Sequence, residues 1–177
     1  MHANEKALDM LLGLGALMRA TIDRPADHLT PLSAEVDFVR QYLDLQAARF
    51  GDRLDVRFAV APEALPVMVP SFLLQPLVEN ALRHGFARKS GRSRLDINAS
   101  LSEQGLDVAV RDDGTGLTPG FDLERDAGTG LRNIRTRLQQ LYGADAHLEL
   151  RSAPGGGTLV SVRIPTDDAT ARARASA

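Results

Sequence analysis

The hydrophobic period of this chain changes at Gly51, and that change limits the folds open to it more than any single motif. Before Gly51 the apolar positions recur at helical spacing. Leu8, Leu11, Leu12, Gly15 and Met18 form one stripe over residues 4–21, with Leu14 and Leu17 widening it, and Val36, Val39, Leu43 and Ala47 form another over residues 34–50. After Gly51, Leu54, Val56, Phe58 and Val60 alternate with polar or small residues, as in a strand. Further alternating runs occur at Leu95, Ile97 and Ala99, at Leu106, Val108 and Val110, and near residues 146–152 and 159–164. Between them lie helical patterns over residues 72–84, capped by Ser71 and stopped by Gly85, and over residues 131–142. Residues 23–31 read as a proline-bearing loop, after which Ser33 is placed to cap the second helix, and residues 62–70 read as a proline-rich connector. The predicted order is helix, helix, then β-α-β-β-α-β-β. It implies an α/β (α+β) sandwich in which helices cover one face of a mixed, largely antiparallel sheet, with two helices in front.

Length and charge narrow the function. At 177 residues with 44% hydrophobic and 25% charged residues, the chain suits about one globular domain. A net charge of −2 and the absence of Trp argue against nucleic acid as a partner. With no Cys there is neither a disulfide framework nor a thiolate zinc site. The four histidines are scattered without metal spacing, and no apolar run is long enough to span a bilayer.

Four short segments carry chemistry. In Gln75-Pro-Leu-Val-Glu-Asn-Ala-Leu-Arg-His-Gly85, Asn80 and His84 are four residues apart and share a helix face. An Asn carbonyl is a hard oxygen ligand suited to Mg²⁺ that also takes phosphate oxygens. Asp112-Asp-Gly114-Thr-Gly116 follows a strand, where the carboxylate can accept from an exocyclic amine and the glycines admit a ligand against the backbone. Gly128-Thr-Gly130-Leu131 opens a helix whose free N–H groups suit phosphate. Gly155-Gly-Gly-Thr158 precedes the last strand. Each segment alone has a plain reading: a solvated helix face, a turn, a helix start, a hairpin. None of them forms a Walker P-loop or a Rossmann fingerprint.

In this order the four segments resemble the boxes of the GHKL (Bergerat) ATP-binding family. Residues Leu32, Glu35, Tyr42, Leu43, Arg49 and Phe50, the stretch 75–85 and the stretch 128–143 further resemble LytS/YehU-type sensor histidine kinases. That resemblance implies ATP and Mg²⁺ as cofactors, with Asn80 holding the metal against the phosphates. It implies Asp112 on the adenine amine, Gly114 and Gly116 shaping the adenine pocket, and Thr158 on the adenine side. It also implies Gly128, Gly130 and Leu131 near the phosphates, at the hinge of a lid over residues 117–129. His84, Asn133 and Arg137 become secondary contacts, and Glu79, beside Asn80, the candidate base. Residues 1–50 would then be a remnant of the dimerisation and linker helices, 51–166 the catalytic domain, and 167–177 a disordered tail. Implied partners are a response regulator, the protein's own dimerisation helix and a possible second copy. The implied location is cytoplasmic, the full-length protein being attached to the inner membrane. The family's acceptor segment, of the form N-P-H-F-L-F-N, is not found in this sequence, so autophosphorylation is not expected of the chain itself. A stand-alone serine kinase of the anti-sigma-factor type and a non-catalytic ATP-binding docking module are the alternatives.

Overall fold

The computed structural model describes residues 29–50, 53–86 and 91–166. The helix expected over residues 4–21 and the tail expected over residues 167–177 lie outside these. The first described element, β1 (Leu29–Pro31), leads directly into α1 (Leu32–Phe50). Then come β2 (Leu54–Val60), β3 (Met68–Pro70), α2 (Leu74–Phe86), β4 (Ser93–Ser102) and β5 (Gly105–Asp112). A short helix α3 (Leu123–Asp126), α4 (Thr129–Tyr142), β6 (His147–Ser152) and β7 (Thr158–Ile164) complete the order.

Five strands form one sheet in the order β2-β4-β5-β7-β6. Only β2 and β4 pair in parallel; the other three pairings are antiparallel. The alternation seen in the sequence sorts the two faces. Leu95, Ile97, Val108, Val110, Val160 and Val162 point into the core. The opposite face is polar and bears ion pairs such as Arg163–Asp107 (2.7 Å), which stand directly opposite each other in the β5–β7 register. The inward face is covered by α2, whose Leu74, Leu77, Val78, Ala81 and Leu82 make an unbroken apolar stripe. Helix α2 packs on β4, β5 and β7, and against both α1 and α4.

Several local expectations change. Leu29–Pro31 is a strand rather than loop, and it pairs antiparallel with β3 inside the expected connector. Both are three-residue strands. Prolines are tolerated at strand ends of this kind, where a missing N–H costs no ladder bond. Helix α1 starts at Leu32, ahead of Ser33, because the N–H groups of Leu32 and Ser33 donate to Val67 and Leu65 carbonyls (2.9 Å each) across the chain. Helix α2 begins at Leu74 and runs past Gly85 to Phe86. Phe72 cannot belong to it, because its φ of 61° is left-handed. Helix α4 opens at Thr129, two residues earlier than its apolar pattern indicated, and α3 was not foreseen. Leu32, Val36, Val39 and Leu43 of α1 lie in the same hydrophobic cluster as the sheet and α2.

Candidate functional site: a cleft between α2, residues 117–128 and the sheet

The site starts at the end of β5. There the Asp112 carboxylate, 2% exposed, accepts N–H bonds from Gly114 (2.8 Å) and Thr158 (3.3 Å) on one oxygen. Burial pushes this carboxyl above the ordinary range for aspartate, while those N–H donors and the Thr158 hydroxyl pull the other way. The 155–157 turn is folded tightly onto the same strand end. A Cβ on Gly157 would stand 1.9 Å from the Asp112 carbonyl oxygen, and its φ is +88°. Only glycine fits that approach. Gly116, at φ +75°, lies against the carbonyl of Gly157. Two of the four sequence segments are thereby joined at one corner of the sheet.

The other two segments close the opposite side. Gly128 is the N-cap of α4 and carries no side chain to bond the first turn. The first bond made within the helix is from Arg132 N–H to the Gly128 carbonyl, which leaves the preceding N–H groups aimed outward. Gly130 sits where a Cβ would come within 3.0 Å of Pro76 Cβ, so α4 and α2 meet closely at this point. Asn80 projects from α2 beside that contact.

A cleft of about 450 Å³ opens between these parts. Asn80, Gly116, Gly128 and Thr158 line it, with an apolar wall that includes Leu117, Phe121, Ala127 and Leu150. A second cleft of about 170 Å³ opens at the start of α4 and is lined by Glu79, Asn80, Gly128, Gly130 and Leu131 among others. Asn80 and Gly128 belong to both. Asp112 and Gly114 do not line either cleft; Asp112 lies beneath Thr158 and is bonded to it. Glu79 is exposed, and its carboxylate accepts from Gln75 Nε2 (2.7 Å) one helical turn earlier. The His84 side chain lies outside the described residues. Asn133 is exposed and lines neither cleft, and Arg137 instead donates to the Ser71 carbonyl.

Sequence reasoning missed three contributors. Arg83 lines both clefts. Its place three residues after Asn80 on one helix was a sufficient signal. Asp126 faces the larger cleft, and its carboxyl is held down to about 2 by Arg125 and by the Asp122 N–H. Glu35, 1% exposed on α1, accepts from the N–H groups of Phe72 (2.9 Å) and Leu74 (3.1 Å) at the start of α2. It bonds the start of α2 from a remote helix, and nothing local in the sequence connects positions so far apart.

The segment expected as a lid has internal structure. Asp122 caps α3 by accepting from Arg125 N–H (3.0 Å), and Asp126 accepts in return from Asp122 N–H (2.9 Å). Arg135 of α4 pairs with Glu124, and Arg132 donates to the Glu124 carbonyl (3.4 Å). No group of three or more metal-ligating carboxylates or histidines occurs among the described residues. A divalent ion here would therefore depend on Asn80, on water and on ligand oxygens.

A family model described as "Histidine kinase-, DNA gyrase B-, and HSP90-like ATPase" matches residues 70–168. A second, described as "Histidine kinase", matches residues 1–54. The chain is 33% identical over 172 residues to the sensor protein LytS of Staphylococcus haemolyticus, covering 92% of this chain and 29% of that protein. It is 34% identical over 168 residues to the sensor histidine kinase/phosphatase LytS of Staphylococcus aureus, covering 88% and 28%. The chain thus spans under a third of the length of these relatives. In fold it is similar to the histidine kinase domain of the blue-light activated histidine kinase from Erythrobacter litoralis EL346, with a TM-score of 0.60 at 24% identity, covering 93% of this chain and 77% of that one.

Proposed function

Because the chain belongs to the histidine kinase-, DNA gyrase B- and HSP90-like ATPase family, we propose that it is the ATP-binding catalytic domain of a two-component sensor histidine kinase. The observation that carries this reading is the meeting of four sequence-distant segments around one cleft: Asn80, Gly116, Gly128 and Thr158 share its lining. A mononucleotide fits a cleft of about 450 Å³.

In this reading the adenine lies over Thr158 and Gly116, with the Asp112 carboxylate buried beneath Thr158, and the phosphates run toward Asn80. The outward N–H groups at the start of α4 and the Arg83 guanidinium supply donors for them. Asn80 would hold Mg²⁺, which would supply neutralisation of phosphate charge there. The segment from Leu117 to Gly128 covers the nucleotide and excludes water. The γ-phosphoryl passes in line to an imidazole nitrogen on a dimerisation helix. As the new P–N bond forms, the bond to the β–γ bridging oxygen breaks and ADP leaves. The imidazole proton goes to a base, for which Glu79 is the candidate. The chain contributes position and electrostatics, which is most of what this chemistry asks of a protein. A response regulator and a second copy of the kinase are the partners in this reading, and its place is the cytoplasm. Among the described residues no helix is long and apolar enough to cross a membrane.

Thermal unfolding with and without millimolar Mg-ATP tests the reading. Ligand at 100 times Kd is expected to add about 2.7 kcal/mol to the wild-type chain. The shift is expected to disappear in Asn80→Ala and Asp112→Ala. A folded wild-type chain with no shift overturns the ATP site. Radiolabel from ATP reaching a separately supplied dimerisation helix tests the transfer.

A further inference from the structure

Residues 71–74 form a corner where three helices are tied together. The Glu35 carboxylate of α1 accepts from Phe72 N–H at 2.9 Å and from Leu74 N–H at 3.1 Å. The Phe72 ring stands edge-on to Phe38 of α1, with centroids 6.3 Å apart and planes at 83°. Arg137 of α4 donates to the carbonyl of Ser71. Phe72 itself is held at a φ of 61°, which a phenylalanine adopts only under constraint from its surroundings.

These ties differ in kind from ordinary core packing. Apolar contacts let helices slide; a buried carboxylate on two backbone N–H groups fixes both distance and direction. The carboxylate also sits at the positive end of the α2 dipole, where negative charge is favoured. Asn80 lies six residues along the same helix from Leu74, about 9 Å at 1.5 Å per residue. One rigid element therefore connects the corner to Asn80, which lines both clefts. The other wall of the site is built from the sheet: Asp112 and Thr158 belong to β5 and β7, whereas the Glu35 bonds to Phe72 and Leu74 are made at the start of α2.

We propose that Glu35 is a positioning residue, through which helix α1 sets the phosphate end of the nucleotide site while leaving the adenine end alone. Helix α1 overlaps the stretch of chain matched by the second family model, residues 1–54, so a displacement of that stretch would reach Asn80 through this carboxylate. The inference rests on the ATP-site reading above.

The test compares two ligands in the whole chain: Mg-AMPPNP, which carries the phosphates, and adenosine, which lacks them. Glu35→Gln keeps the shape but replaces one acceptor oxygen by a donor. It is expected to weaken Mg-AMPPNP about tenfold, the order of a lost charged hydrogen bond, and to leave adenosine affinity within a factor of two. Glu35→Asp keeps the charge on a shorter stem, is expected to fall between wild type and Gln, and serves where Gln fails to fold. A folded variant that binds both ligands as wild type does overturns the proposal, even if it melts earlier. Equal weakening of both ligands also overturns it, because the effect is then general. Failure of the wild-type chain to bind either ligand is a failure of the ATP-site reading instead.

Discussion

Single residues differ sharply in how much they carry, even inside one short motif. The three consecutive glycines 155–157 look equivalent in the sequence, and all three have positive φ. At Gly157 an added Cβ would collide with the Asp112 backbone, whereas at Gly155 nothing lies within 4 Å. Gly157→Ala is expected to destabilise the chain by about 3 kcal/mol or more, because backbone must move on both sides. Gly155→Ala is expected to cost only about 1 kcal/mol, the conformational penalty alone. Urea unfolding of the two variants measures the difference. The position of Asp112 after a strand and before glycines was readable from the sequence. That Gly157 presses against it was not, because the approach depends on the β5–β7 pairing.

Among the elements, the segment over the cleft combines apolar and polar ties: Phe121 and Leu123 pack against the core and Ala127 is buried in it. Helix α3 has only four residues and none of them is buried. It is fastened to α4 by the Glu124–Arg135 pair and by Arg132 on the Glu124 carbonyl. Exposed pairs of this type contribute about 0–1 kcal/mol and weaken with salt. Glu124→Ala is therefore expected to change global stability by less than about 1 kcal/mol. It is also expected to raise protease cleavage within residues 117–128 severalfold. Limited proteolysis followed by mass spectrometry reads this directly. Cleavage at the wild-type rate, or cleavage spread over the whole chain, would contradict it. The helix was invisible in the sequence because four residues cannot show a period.

Over the whole molecule, α1 belongs to the core. Leu32, Val36, Phe38, Val39 and Leu43 are each no more than 5% exposed. Burying one such side chain contributes about 1.5–3 kcal/mol, against a total stability of about 5–15 kcal/mol for a domain. A chain beginning at residue 53 would lose all five, together with the Glu35 bonds to α2. It is expected to lose cooperative unfolding, with a broad calorimetric transition and exposed apolar surface that binds a hydrophobic dye. A sharp transition from that shortened chain would show the core after residue 53 to be sufficient.

What the sequence determined by itself was everything set by short-range pattern. Alternation placed the strands β2, β4, β5, β6 and β7, and the 3–4 spacing placed α1, α2 and α4, because both reflect which side of an element meets water. The order of Asn80, Asp112, Gly128 and Thr158 was likewise legible. What the tertiary structure decided was each feature whose partner is remote in the chain. β1 and β3 exist only because Leu29–Pro31 finds Met68–Pro70. The start of α2 is bonded by Glu35, 37 and 39 residues earlier, and not by the neighbouring Ser71 alone. Arg137, read as a contact of the site, braces Ser71 instead. A periodic pattern records burial at one residue, whereas a hydrogen bond between distant groups leaves no period at either end.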